Sequence, residues 1–160
     1  MSDLVVDSSV VFKWFVAEDD SDIAHSILDA WKQKQLTCHA PDWMVAEVGN
    51  ILWKWQRRTE LTALFASDCL NDVDALPLVW ADARSLLPAA LKLAMLHGRT
   101  VYDSIYLALA IQLGCPFVTA DDRLANAVAA HIPNVIKLSD WIPSPPTTPS
   151  PATPPDSVKD

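Results

Sequence analysis

Residues 100–124 read TVYDSIYLALAIQLGCPFVTADDRL, and this stretch decides the fold. Residues 100–113 are apolar enough to predict a helix that is buried on most sides, and Gly114 is placed to end it. Residues 116–119 form a short apolar run that predicts a strand. Asp103 stands near the start of this helix and Asp121 directly after this strand. A helix followed at once by a short buried strand is typical of an α/β domain.

Outward from this stretch, short apolar runs alternate with segments of helical periodicity. Further strands are predicted at residues 4–6, 36–40, 76–79 and 135–138, and further helices at about 21–34, 43–55, 62–71, 81–97 and 121–130. Strands separated by helices pair in parallel through right-handed crossovers. We therefore predict an α/β fold, a three-layer α/β/α sandwich around a central, mostly parallel five-stranded sheet.

The chain divides into a folded part and a proline-rich tail. Its 160 residues suit one domain, which we place at residues 1–142. Residues 143–160 read PSPPTTPSPATPPDSVKD, which is rich in Pro, Ser and Thr and almost free of apolar side chains. Such a segment buries too little surface to order itself, so a disordered tail is expected. A polyproline ligand for a partner domain is the functional alternative.

Composition excludes several classes of protein. The 12 Lys and Arg against 20 Asp and Glu give a net charge of −8, which does not suit a general binder of polyanions. Three glycines are too few for a glycine-rich phosphate loop, and no H-E-x-x-H or C-x-x-C motif suggests zinc. The N-terminus lacks the basic region of a secretory signal, and the longest uncharged stretch is too short to span a membrane. A cytoplasmic protein without a membrane partner is expected, and its three scattered cysteines agree with that.

Two aspartates follow predicted strands. Asp7 comes directly after residues 4–6, and Asp121 comes after residues 116–119. Either residue could simply cap the helix that follows it. In a parallel sheet, however, the carboxyl ends of the strands meet at one edge, where ligands bind. The two aspartates are therefore expected to lie at the same edge.

Two further acids occupy predicted helices. Glu47 borders an apolar stripe, and no Lys or Arg lies at helical spacing from it, so a functional role is favoured over a salt bridge. Asp103 could close a capping box with Thr100, which is a strong structural alternative. The amino end of so apolar a helix is nevertheless expected to point towards the sheet.

The cluster of acids predicts a cation site. Two like charges about 4 Å apart repel by about 4 kcal/mol at an effective dielectric constant near 20. Several carboxylates at one edge therefore persist only if they are neutralised by cations or partly protonated. Ligands that are all carboxylates select hard divalent ions, which indicates Mg²⁺ or Mn²⁺.

Four segments together resemble the PIN domain, and most closely the VapC-type ribonuclease toxins of toxin–antitoxin pairs. They are VVDSSVVFKWF, AEVGNILWKW, GRTVYDSIYLALAIQLGCPFVTADDRLA and the closing VIKLSDW, and the resemblance covers residues 3–141. It implies an endoribonuclease dependent on Mg²⁺ or Mn²⁺. By position, the catalytic and metal-binding acids of the family fall on Asp7, Glu47, Asp103 and Asp121. Asp7 and Asp103 would bind the main ion directly, and the other two would complete the shell, through water or at a second, more weakly held ion. Supporting roles are implied for Ser8, Thr119 and Asp122.

Partners also follow from the resemblance. RNA is the implied substrate, and an antitoxin protein and a second copy of the chain are the implied partners. Trp53 and Trp55 are about 200° apart on a helix, so they cannot both face inward, and one is expected to face a partner. Lys13 and Arg99 are the best candidates for contacts with RNA phosphates, because they lie near the acids in sequence.

The sequence fits three other functions less well than it fits a nuclease. A catalytically inactive PIN-like module that only binds RNA or protein is the main alternative, and the complete set of four acids argues against it. A phosphatase of the haloacid dehalogenase type needs D-x-D after its first strand, where this chain has Asp7-Ser8-Ser9. A receiver domain needs an acidic pair at that place, which the sequence lacks.

Overall fold

The structure is a computed structural model that describes residues 1–59 and 61–142. The tail predicted at residues 143–160 lies outside the described residues. Five strands form one sheet, and every pairing between neighbouring strands is parallel. The strands are β1 (Ser2–Val6), β2 (Leu36–Pro41), β3 (Val79–Ala81), β4 (Phe117–Thr119) and β5 (Val135–Lys137).

Helices cover both faces of this sheet, which confirms the predicted three-layer α/β/α sandwich. The helices are α1 (Ser8–Phe12), α2 (Ser21–Lys32), α3 (Met44–Arg58), α4 (Ala63–Asp74), α5 (Ala83–His97), α6 (Val101–Leu113) and α7 (Asp122–Val128). A 3₁₀ turn, Leu138–Asp140, follows β5. Across the described part of the chain, no helix combines the length and apolar character needed to cross a membrane.

The order of the strands places a switch point at the centre of the sheet. The order is β3-β2-β1-β4-β5, so the chain winds one way from β1 to β3 and the other way from β4 to β5. Val5 pairs with Phe117 and Val6 with Val118, which sets the ends of β1 and β4 side by side. Ligands of such sheets bind beyond the strand ends at this point. The topology therefore directs attention to the residues that follow β1 and β4.

Helix α6 is the central helix of the core. Seven consecutive residues, from Ser104 to Ala110, are buried, so the predicted helix with little solvent contact is confirmed. The helix ends at Gly114, whose φ of 63° lies in the left-handed region that favours glycine. Tyr106 of α6 stacks on Phe117 of β4 with ring centroids 5.6 Å apart. This packing fixes α6 against the centre of the sheet.

Two segments differ from the sequence-based expectation. No element was expected between β1 and Ser21, yet α1 begins one residue after Asp7, whose carbonyl accepts hydrogen bonds from the N–H groups of Val10 and Val11. The third strand begins at Val79, three residues later than predicted. Pro77 has no N–H to donate, and the N–H of Leu78 donates to the carbonyl of Leu76 at 2.8 Å, so the chain turns there before it becomes a strand.

Candidate active site

Asp7 lies at the switch point, directly after β1. Its N–H donates to the carbonyl of Val118 at 3.1 Å, which continues the ladder between β1 and β4. Asp7 is buried, with a relative exposure of only 7%, which is unusual for an aspartate. Burial raises the pKa of the Asp7 carboxyl above its ordinary value, and the charge of Asp103 adds to the increase, while hydrogen bonds from Thr119 and Ser9 oppose it.

Two hydroxyl groups hold the Asp7 side chain. Oδ2 accepts hydrogen bonds from Ser9 Oγ at 2.7 Å and from Thr119 Oγ1. Each hydroxyl also accepts a backbone N–H at 3.0 Å, from Ala120 to Ser9 and from Asp121 to Thr119. A hydroxyl has one proton to donate, so both protons are directed at Oδ2. The other oxygen, Oδ1, accepts a longer contact from Ser8 Oγ at 3.4 Å and keeps capacity to bind a ligand.

Glu47 reaches the same place from the first turn of α3. The hydroxyl of Tyr106, on α6, donates to Glu47 Oε2. Burial raises the pKa of Glu47 to about 7, and the negative charges of Asp7 and Asp103 contribute to that increase. The pKa of Tyr106 is raised well above its usual value by burial, then by Asp7 and Glu47, so its phenol keeps the proton that it donates.

Asp103 lies in the first turn of α6. The structure confirms part of the capping alternative, because the Thr100 hydroxyl accepts a hydrogen bond from the N–H of Asp103 at 3.1 Å. This bond uses the backbone of Asp103 and leaves its carboxylate for other contacts. One carboxylate oxygen lies 3.7 Å from the guanidinium of Arg99, one turn earlier in the chain.

Asp7, Glu47 and Asp103 thus share one region of the molecule, which we call the acidic site. They come from the loop after β1, from α3 and from α6, and the charge of Asp103 raises the pKa of both of the others. Mutual repulsion among these carboxylates lowers the stability of the fold. A stable domain keeps such a cluster where the carboxylates serve a function. The acidic site is therefore the strongest candidate for chemistry in the described residues.

Asp121 adjoins the acidic site but uses its carboxylate differently. Its Oδ1 accepts hydrogen bonds from the N–H groups of Arg123 and Leu124, at 2.9 and 3.1 Å, and so caps α7. Its backbone N–H binds the same Thr119 hydroxyl that donates to Asp7. The structure thus places Asp121 beside Asp7 through Thr119, as the same-edge argument predicted. Asp122 is exposed in the first turn of α7. The functional roles of both stay predictions.

The two predicted RNA contacts already have partners within the protein. The ammonium group of Lys13 donates to Glu18 at 3.2 Å and to the carbonyl of Asp19 at 2.8 Å. Arg99 lies against Asp103, as described above. Contact with a phosphate would require each cation to exchange one of these partners.

Ser9 and Tyr106 are polar contacts of the acidic site that sequence reasoning did not assign. Ser8 was expected to support Asp7, but Ser9 makes the shorter bond, at 2.7 Å against 3.4 Å. Tyr106 was interpreted only as a buried residue. Its position three residues after Asp103 puts both on one face of a helix, and that spacing was the available signal.

The donors of the acidic site fit a divalent cation in kind. They are carboxylate and hydroxyl oxygens, which Mg²⁺ and Mn²⁺ prefer, and burial together with mutual repulsion raises the pKa of Asp7 and Glu47, which a bound cation would oppose. As the side chains stand in residues 1–59 and 61–142, no group of three or more His, Cys, Asp or Glu is gathered closely enough to hold a metal ion. The fit is thus one of chemistry, and the described conformation does not form a complete ligand shell.

Comparisons with known proteins show the family of the chain. A family model described as "PIN domain" matches residues 4–129. The chain is 33% identical over 137 residues to a protein named Ribonuclease VapC3 from Pyrobaculum aerophilum, covering 81% of this chain and 97% of that protein. It is 31% identical over 140 residues to Ribonuclease VapC1 from Mycobacterium tuberculosis, covering 86% of this chain and 98% of that protein.

Solved structures share the fold. A crystal structure of a Pyrobaculum aerophilum protein superposes with a TM-score of 0.64 at 24% identity, covering 86% of this chain and 90% of that one. A crystal structure of VapBC2 from Rickettsia felis, bound to a DNA fragment from the promoter, gives a TM-score of 0.54 at 15% identity. That match covers 84% of this chain and 96% of the other.

Proposed function

The chain belongs to the PIN domain family, and from this we propose that it is an endoribonuclease that hydrolyses phosphodiester bonds of RNA with Mg²⁺ or Mn²⁺. The two relatives named above are ribonucleases by name, and this chain spans nearly their whole length. One structural observation carries the proposal most directly. Asp7, Glu47 and Asp103 come from three separate elements, and they lie near enough for the charge of Asp103 to raise the pKa of the other two.

In the proposed reaction, Asp7 and Asp103 hold the main cation, and Glu47 and Asp121 complete its surroundings. When bound, such an ion supplies Lewis-acid polarisation of a phosphate oxygen and acidifies a water molecule. Ser9 and Thr119 fix Asp7 so that Oδ1 faces its ligand in one orientation. With a pKa of about 7 in the absence of an ion, Glu47 can hold or release a proton near neutral pH. Tyr106 keeps Glu47 Oε2 in place throughout.

The test of this proposal is cleavage of a labelled single-stranded RNA by the purified chain. We expect products in Mg²⁺ or Mn²⁺ and none in excess EDTA. Asp103→Asn should abolish cleavage while it keeps the fold, because the cap at the start of α6 uses the backbone N–H of residue 103.

Asp82→Asn is the matched control. Asp82 is an exposed aspartate whose side chain caps α5 by accepting a hydrogen bond from the N–H of Arg84 at 3.1 Å. Asparagine caps almost as well, so this variant should cleave like the wild type. Full cleavage in EDTA, or by Asp103→Asn, would refute the mechanism. RNA binding without any cleavage would favour the inactive binding module instead.

An antitoxin is the proposed protein partner. The Rickettsia felis complex is named as a VapBC pair, so that protein is assembled with a second component. In this chain Trp53 is 53% exposed on α3, while Trp55 packs against Phe12 with ring centroids 5.5 Å apart. The two tryptophans therefore do face different ways, as predicted. We propose that the antitoxin covers Trp53, and a Trp53→Ala variant that binds the antitoxin with unchanged affinity would exclude this.

A second copy of the chain is the other proposed partner. Helix α5 exposes apolar side chains four residues apart at Leu87, Leu91 and Met95, with relative exposures of 42, 51 and 71%. A continuous apolar stripe on one helix is typical of an interface. We propose that the homodimer forms through this stripe.

Two basic side chains and three cysteines bear on how the chain would contact RNA and where it would act. Lys13 and Arg99 stay the proposed phosphate contacts, and both would release an internal carboxylate to bind RNA. We propose action in the cytoplasm, where RNA is available and where Cys38, Cys69 and Cys115, all buried free thiols, stay reduced.

A further inference from the structure

Trp43 and Tyr102 form an exposed aromatic pair. Their rings stack with centroids 5.1 Å apart and planes only 6° from parallel. Trp43 is 37% exposed and Tyr102 is 54% exposed, so much of the ring surface is open to solvent. Aromatic side chains in a domain of this size are usually buried, and the chain has a continuous core elsewhere that could have taken them. The two stacked rings therefore offer an exposed, flat apolar surface on which a planar ligand can pack.

The aromatic pair lies one helical turn from the acidic site. Trp43 immediately precedes α3, and Tyr102 is in the first turn of α6. Four residues further along the same two helices are Glu47 and Tyr106, which are hydrogen-bonded to each other. Helices α3 and α6 thus meet in two successive contacts, one aromatic and one acidic. At 1.5 Å per residue, four residues separate them by about 6 Å along the helices.

We propose that the aromatic pair is a stacking platform for one unpaired nucleobase of the RNA, next to the phosphodiester bond that is cut. This inference rests on the proposed nuclease function and specifies how its substrate is held. Bases in loops and single strands can be splayed out and stacked on aromatic side chains, whereas bases in a duplex cannot. The platform therefore selects RNA that is single-stranded at the cut.

The charge of the protein favours stacking as the means of holding RNA. The net charge is −8, and the two predicted phosphate contacts, Lys13 and Arg99, are already paired with acceptors within the protein. Phosphate contacts alone are thus poorly supplied. A base presents a neutral π face to the rings, so stacking gains affinity without any cationic side chain. A protein partner is a different occupant, and the experiment separates it from RNA.

The experiment measures binding and cleavage separately. Binding of a fluorescein-labelled single-stranded RNA is followed by anisotropy with the Asp103→Asn chain in Mg²⁺, and cleavage is followed with chains that keep Asp103. Trp43→Ala and Tyr102→Ala should each weaken binding by about tenfold. They should raise KM more than they lower kcat, and they should leave the salt dependence of binding unchanged, because no phosphate contact is lost.

Two controls make the result specific to ring stacking. Trp43→Phe and Tyr102→Phe keep a ring and should restore most of the affinity. Phe65→Ala removes an aromatic side chain that is 40% exposed on α4 and should change neither binding nor cleavage. RNAs with a single abasic position add a direct readout. Removal of the base at one position should weaken binding to the chain that has both rings. Removal of the base at that same position should not change binding to Trp43→Ala.

The outcomes distinguish this inference from the nuclease proposal. If RNA is cut normally but both alanine variants bind and cut it like their parents, the platform is refuted and the nuclease stands. If the alanine variants lose only the binding of a protein partner, the platform is likewise refuted. If RNA binding depends on the rings but no chain cuts RNA, the nuclease is refuted and the platform stands.

Discussion

Asp7 is held by two hydroxyl groups that, within the part of the chain that the structure describes, donate their protons to no other acceptor. Ser9 and Thr119 each receive a backbone N–H from the loop after β4, and each donates to the same oxygen of Asp7. The Asp7 carboxylate is thereby oriented by two elements that are far apart in sequence. Partners of this kind determine how well a ligating side chain is positioned.

We predict that Thr119→Val lowers cleavage about 10- to 100-fold. Valine has a similar shape but cannot donate to Asp7 or accept from the N–H of Asp121. Thr119→Ser keeps the hydroxyl and should retain most activity. The comparison requires kcat/KM for both variants on one RNA, with thermal unfolding as a check of the fold. Equal loss in the serine and valine variants would show that packing matters there and the hydroxyl does not.

Glu47 gives the metal-free protein a dependence of stability on pH. Its pKa is about 7 in the folded chain and near 4.5 in the unfolded chain, so between these values the folded state binds more protons. The free energy of unfolding therefore falls as pH rises from about 4.5 to 7 and is level above that, with up to about 3 kcal/mol lost. The raised pKa of Asp7 acts in the same direction.

This is measured by urea unfolding in EDTA between pH 4.5 and 8. Glu47→Gln should flatten much of the slope and make the protein more stable than the wild type at pH 8. A wild-type stability that rises over this range would contradict the assignment.

At this scale the sequence predicted which acids lie near one another but could not choose among the neighbouring hydroxyls. Asp7 and Asp121 were expected at one edge because each follows a parallel strand, and the hydrogen bonds through Thr119 agree. The choice of Ser9 over Ser8 depends on the direction of the side chains in α1. That helix was itself not predicted, because its Val10-Val11 pair is β-branched and has no helical periodicity.

Among the elements, α3 and α6 matter most, since each carries one residue of the acidic site and the aromatic pair lies at their N-terminal ends. Their helical character was predictable from apolar spacing and from the stop at Gly114. The contact between the two helices was not predictable, because the periodicity of one helix does not indicate which other helix packs against it. The late start of β3 shows a similar limit: the apolar residues 76–79 suggested a strand, and the missing N–H of Pro77 together with the turn at Leu78 moved it.

Gly49 provides a prediction for α3. It lies inside the helix with an ordinary backbone conformation, and an added Cβ would meet Leu70 of α4 at 3.6 Å, a normal van der Waals contact. Gly49→Ala should therefore stabilise the protein by about 0.5–1 kcal/mol. Thermal unfolding should show a rise in Tm of about 1–4 °C.

Gly98 is the matched control for this change. Its φ of 62° is left-handed at the end of α5, so Gly98→Ala should destabilise by about 1 kcal/mol although space is open around it. A fall in Tm for Gly49→Ala would mean that α3 and α4 are packed more tightly than the Leu70 contact indicates.

The molecule as a whole combines a switch-point site with an apolar outer stripe on α5. The sheet and its parallel pairing followed from the alternation of strands and helices. The position of β1 at the centre of the sheet did not follow from that alternation. Strand order depends on the crossover at which the chain reverses its direction across the sheet.

At this scale we predict that Leu91→Lys converts a dimer into a monomer. A charge in the middle of the stripe formed with Leu87 and Met95 would be buried without a partner in the proposed interface. Light scattering coupled to size exclusion measures the mass. Leu64→Lys changes an even more exposed leucine, at 73%, on α4 and should leave the dimer intact. A wild-type chain that is monomeric at micromolar concentration would exclude the homodimer.

The hydrogen bond from Thr119 to Asp7 joins residues that are 112 positions apart. During translation, Asp7 leaves the ribosome long before Thr119 has been added to the nascent chain. On each nascent chain, the proposed RNA-cutting centre therefore stays incomplete until β4 has been made and has left the ribosome. Ribosome-bound chains that stop before Phe117 should accordingly leave a reporter RNA whole, and cutting by such chains would show that β4 is dispensable.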